Sequence, residues 1–150
     1  MSRIPVVVAA LVAVLALTGC FATGPQPEDA IPPALLASDL DILEASAGKG
    51  VDGFSVNVSA SVLVERDEIS ADDLREILRI VMENTHITNV NAITISARSD
   101  ETEEVNGFTM NVHIDLVPAA EELGLDDPDD GLGSIRADWD EVVTMLRETE

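Results

Sequence analysis

From residue 54 the chain alternates apolar and polar side chains without a break. Phe54, Val56, Val58, Ala60, Val62 and Val64 fall on one side, and Ser55, Asn57, Ser59 and Ser61 on the other. A period of two belongs to a strand with one buried and one wet face, whereas a helix would scatter such a run around its circumference. The pattern recurs at Ile93, Ile95 and Ala97 against Thr94, Ser96 and Arg98. It recurs again at Phe108, Met110, Val112, Ile114 and Leu116 against Thr109, Asn111, His113 and Asp115. Strands with one apolar face need a second layer to cover it. If the last two pair across the acidic loop ending in Asn106-Gly107, their apolar residues share a face only when paired numbers sum to an odd value. Ala97 opposite Phe108 and Ile95 opposite Met110 are examples.

Helical spacing supplies the cover. Leu36, Leu40 and Leu43 predict a first helix over 34–47, stopped by Gly48 and Gly50. Ser70-Ala71-Asp72-Asp73 is a capping box opening a helix over 71–84, with Leu74, Ile77, Leu78 and Val81 as its apolar stripe. Arg75 and Arg79 stand three or four positions from Asp72, Glu76 and Glu83, the spacing of local ion pairs. His86 falls just past that helix, where it would cap the end. Residues 119–123 suggest one helical turn and 126–133 a loop, and Ile135, Trp139, Val143 and Leu146 mark a closing helix. The fold class is therefore α+β. The expected form is a two-layer sandwich with a mixed or antiparallel sheet of about three strands, helices on one face, and the third strand between the first two. Phe54, Phe108 and Trp139 belong to apolar faces, which argues against an aromatic stacking platform.

The N-terminus has a different character. Arg3 precedes an apolar run over 4–17 of 14 residues, shorter than the roughly 20 a membrane-spanning helix needs. The run closes in Leu17-Thr18-Gly19-Cys20, which resembles a bacterial lipobox. The resemblance, to bacterial lipoproteins, covers residues 1–20 alone. It implies export, cleavage before Cys20, a diacylglyceryl thioether on that cysteine, and anchorage to the outer face of the cytoplasmic membrane, or to the outer membrane of a two-membrane host. The expected organisation is a signal peptide over 1–19, a lipidated start and proline-rich tether over 20–33, and a single domain over 34–150.

With Arg3 removed with the leader, seven basic residues face 29 acidic ones, a formal charge of −22. Nucleic acid is excluded as a partner, because affinity for it rests on Lys and Arg neutralising phosphates. Anionic headgroups are repelled as well, so the membrane is engaged through the lipid on Cys20 and the protein is expected to stand off the surface. Cys20 is the only cysteine, which leaves a mature domain without disulfide, thiolate metal site or cysteine nucleophile.

The candidate chemistry is sparse. Asp126, Asp127, Asp129 and Asp130 around Gly131 are the nearest thing to a calcium loop, but Pro128 and Ala137 stand where an EF-hand has a ligand and its bidentate glutamate. His113, flanked two residues away by Asn111 and Asp115, has too few partners for a metal site. Ser46-Ala47-Gly48-Lys49 matches S-x-x-K without the companion motifs of penicillin-recognising enzymes. No catalytic motif is present, so no enzyme activity and no cofactor are expected. The leading expectation is a non-catalytic binding module that contacts an envelope protein or cell-wall component. Its interaction face would be Ser55, Asn57, Ser59, Thr94, Ser96, Thr109, Asn111 and His113. A calcium-responsive acidic module and an unrecognised hydrolase are the alternatives.

Overall fold

The computed structural model describes residues 24–126 and 128–148. In chain order these form α1 (Pro27–Leu36), β1 (Ile42–Asp52), β2 (Ser55–Val64), α2 (Ala71–Glu83), β3 (Val90–Val105), β4 (Phe108–Ile114), α3 (Val117–Glu122), β5 (Asp129–Gly131), β6 (Ser134–Asp138) and α4 (Trp139–Arg147). The class is α+β, and the sheet has six strands among the described residues rather than about three. Its order is β1-β2-β3-β6-β5, with β4 also paired to β3.

The strand with the longest alternation is β2, which pairs antiparallel with β1 and parallel with β3. The third alternating strand, β4, therefore lies outside β3 and not between β2 and β3, as the sequence suggested. The sixteen residues of β3 explain why, because one flank takes β2 while the other is shared end to end by β6, at 92–95, and β4, from 97 outwards. Pairing of β3 with β4 runs from Val105 opposite Phe108 down to Ala97 opposite Ile114. The expected parity holds, although the pairs differ from the two examples anticipated. A bulge between Arg98 and Thr102 shifts the register by two residues part-way along the pair, an even step that leaves each side chain on its own face. Asn106 and Gly107, both at positive φ, make the two-residue turn.

Three segments depart from expectation. The helix placed over 34–47 is a strand from Ile42, and α1 occupies part of the stretch read as tether. Pro27 sits in the first turn, where its missing N–H costs nothing, and Pro32 and Pro33 are tolerated because Ile31 and Leu35 are wholly buried. The packed fold thus begins at Pro27, not Ala34. In β1, Leu43 is exposed, Ala45 and Ala47 turn half-buried toward the helices, and Gly53, at φ +61, starts a two-residue turn into β2. The segment read as a loop and one long helix is the β5–β6 hairpin followed by α4, with Ile135 and Ala137 buried from a strand.

The core lies between one sheet face and the helices. Val58, Ala60, Val62, Val64, Ile93, Ile95, Ala97, Ile135 and Ala137 meet Leu74, Ile77, Leu78 and Val81 of α2, Ile31 and Leu35 of α1, and Val142 of α4. Each large side chain so buried contributes roughly 1.5–3 kcal/mol. Ser70 caps α2 as read, with the Asp73 N–H donating to Ser70 Oγ at 3.2 Å, and the Ser70 hydroxyl in turn donates to Asp73 Oδ2 at 2.8 Å, a side-chain bond in place of the capping box's reciprocal backbone one. Its far end is closed by the Asn84 and Thr85 side chains, which donate to the Ile80 and Val81 carbonyls, and not by His86. Trp139 packs half-buried against the core, whereas Phe54 and Phe108 do not: the first occupies the β1–β2 turn and the second lies beyond the helical cover.

Candidate functional site

Antiparallel partners share a face, so the register assigns every side chain on the side of the sheet away from the helices. Gly48, Ser59, Thr94 and Arg136 form one row across β1, β2, β3 and β6. Ser46, Ser61 and Ser96 form the next. Glu44, Leu63, Arg98 and His113 form a third, which runs onto β4. The alternation that buries valine and isoleucine on one side places hydroxyls and amides on the other.

The eight residues expected to make an interaction face do lie on this side, though not as one cluster. Asn57, Ser59, Thr94 and Ser96 are central, Ser55 sits at the β1–β2 turn, Asn111 and His113 lie toward the β4 edge, and Thr109 is out on the hairpin arm. The sequence reading did not include Ser46, Ser134 and Arg136, because their segments were read as helix or loop. Arg136 is the most consequential of these, since its guanidinium donates to Asn57 Oδ1 at 3.1 Å and bridges β6 to β2 over the open face. Arg98 has no ion-pair partner among the described residues and, with Glu44, Ser46, Ser61 and Asn111, lines a shallow cleft of about 110 Å³. The centre of the face therefore bears two arginines, four serines and a threonine, and its carboxylates stand at the two margins, Glu44 on β1 in the row of Arg98 and Asp138 on β6 two residues from Arg136.

The other candidates are less coherent. A cleft of about 470 Å³ between α2 and α4 has Met82, Val143 and Leu146 at its floor, but the cations on its α2 rim are spent locally. Arg75 pairs with Asp72, and Arg79 pairs with Glu76 and, at 3.0 Å, with Glu83. The Glu76 hydrogen bond, then that of Glu83, holds the Arg79 guanidinium above its ordinary pKa. Ser46 and Lys49 lie on opposite faces of β1, and Lys49 Nζ donates to Gln26 Oε1 at 3.1 Å, so the S-x-x-K pair is not brought together. Of the acidic loop, Asp127 lies outside the described residues, and the Asp126 N–H donates to Glu141 Oε1. Among the described residues no three His, Cys, Asp or Glu side chains converge as a metal site. Cys20 and the apolar run before it lie outside the described residues, and no described helix is long and apolar enough to cross a membrane. No protein family, curated protein or solved structure matches the chain.

Proposed function

We propose that the chain is an exported lipoprotein, anchored through an acylated Cys20, and that its domain is a non-catalytic binding module whose open sheet face contacts another envelope component. The observation that supports this reading is the uncovered, hydroxyl-lined centre of that face with Arg98 and Arg136 in it. Small polar side chains on a pleated surface leave the approach unobstructed, and two guanidiniums among hydroxyls, with Glu44 and Asp138 only at the margins, favour a partner that presents carboxylates or carbonyls there. The acidic remainder of the surface opposes nonspecific association and makes recognition local.

Alanine at Asn57, Asn111 and His113, all outside the core, should leave thermal unfolding nearly unchanged while envelope cross-links weaken. Cross-links that persist in the triple variant defeat the surface assignment. The anchor is tested separately, since Cys20→Ala should block processing and release the protein from membranes.

A further inference from the structure

The described chain begins at one end of the sheet, and that end differs from the rest of the molecule. Gly24 lies so close to the loop after α2 that a Cβ on it would stand 3.2 Å from His86 Cβ. Gly24, Lys49, Val51, Val56, His86 and Ile87 border a cleft of about 350 Å³. Beside it the Gly53-Phe54 turn projects, with Phe54 104% exposed and Val51 65% exposed. Nothing in the fold uses the Phe54 ring. The charge is sparse too: from 84 to 99 there is no acidic residue, and the β1–β2 tip carries Asp52, with Lys49 nearby on the same strand and the Glu28 carboxylate accepting from the Lys49 backbone N–H at 3.1 Å.

The opposite end supplies the contrast. The β3–β4 arm also exposes apolar side chains, Val105, Phe108 and Met110, but Asp100, Glu101, Glu103 and Glu104 accompany them. The length of β3, sixteen residues, separates the two ends by roughly 50 Å. Both ends are tipped with apolar groups, and the negative charge that an anionic leaflet repels is concentrated on the arm, which has four carboxylates close together and no cation among them, whereas Lys49 accompanies Asp52 and Glu28 at the Phe54 end.

We propose that the Phe54 end is a second membrane contact, in which Phe54 and Val51 enter the interfacial layer of the bilayer that holds the Cys20 lipid. The proposal rests on the lipid anchor given above and revises the expectation that the protein stands wholly off the surface. Geometry makes it specific. Four residue steps from Cys20 to Gly24 span at most about 14 Å, so the anchor and the tip are held at one surface. Repulsion of the acidic arm then sets the domain upright, with the strands along the membrane normal and the open face to the side, accessible to an envelope partner.

The test uses the full chain, processed in a bacterial host and reconstituted into vesicles of phosphatidylethanolamine and phosphatidylglycerol. An acylated Cys20 leaves an introduced cysteine as the only free thiol, so Phe54→Cys, Val51→Cys and Phe108→Cys can each carry a nitroxide spin label. All three positions are exposed, so the core is untouched. Labels at 54 and 51 should lose relaxation by a water-soluble nickel complex and gain it from oxygen, while the label at 108 keeps the reverse. Labels at 54 and 51 as open to nickel as the one at 108, on an acylated and vesicle-bound protein, overturn the orientation and leave the anchor intact. A protein whose mass shows Cys20 unmodified overturns the anchor and the orientation with it.

Discussion

The β5–β6 turn docks against the end of β4 with almost no clearance, and alanine at Gly133 should measure that contact. Gly133 has φ +76, and a Cβ there would lie 2.9 Å from both Asp115 Cα and the Ile114 carbonyl oxygen. The Gly133 carbonyl also accepts from the Leu116 N–H at 2.8 Å, so the turn cannot swing aside without losing a bond. Gly107 is the matched control: it too is the second residue of a two-residue turn, at φ +82, with nothing within 4 Å of its Cβ position. A left-handed residue with a Cβ costs roughly 1–2 kcal/mol, and prying apart a packed contact adds about 1–3 kcal/mol. Gly107→Ala should show the first cost alone, and Gly133→Ala about 2–5 kcal/mol in all. The difference corresponds to several degrees in Tm for a chain of this size. Urea unfolding of residues 22–150, followed through half-buried Trp139, reads both variants. Equal losses would mean that the β5–β6 turn does not bear on β4, and the shared flank of β3 would need another description.

Three further outcomes follow from the same packing and charge. Ile95→Ala, at a fully buried site in the middle of β3, should lose about 2–5 kcal/mol in urea unfolding; a loss below about 1 kcal/mol would mean the core is not where the sheet and helices meet. Ser70→Ala removes the acceptor for the Asp73 N–H and should lose about 0.5–2 kcal/mol, with Ser70→Asp restoring most of it. Millimolar calcium and sodium chloride at matched ionic strength should raise the Tm equally, by screening the acidic surface; a calcium-specific rise would favour the module built on Asp126, Asp127, Asp129 and Asp130.

Much of the fold could be read in the sequence where one period dominated. The run through β2 and the stripe of α2 each have a single periodicity, and the register parity of β3 with β4 followed from alternation alone. Reading failed where two signals overlapped. Leu36, Leu40 and Leu43 have helical spacing, yet Asp41 at φ +53 separates α1 from β1, and Asp52-Gly53, a hairpin signal, lay just beyond. The prolines of α1 suggested a tether, because burial of Ile31 and Leu35 is a tertiary effect that local propensity does not contain. Ile135 of β6 and Trp139 of α4 stand four apart, and the Leu132-Gly133 turn that makes the first of them a strand residue offers only one glycine as its sign. The candidate site inherits this division: Asn57, Ser59, Thr94 and Ser96 were legible from alternation, whereas Arg136 was not, because its strand was not.

The central claim is that the open sheet face is where the partner binds. The most direct measurement places a photo-crosslinking amino acid in the intact, membrane-processed protein at Ser59 and at Ser96, and, as a reference, at the exposed Asp72 of α2. The account predicts one discrete adduct from positions 59 and 96, absent from 72. Adducts of equal yield from all three positions, or from 72 alone, would contradict it.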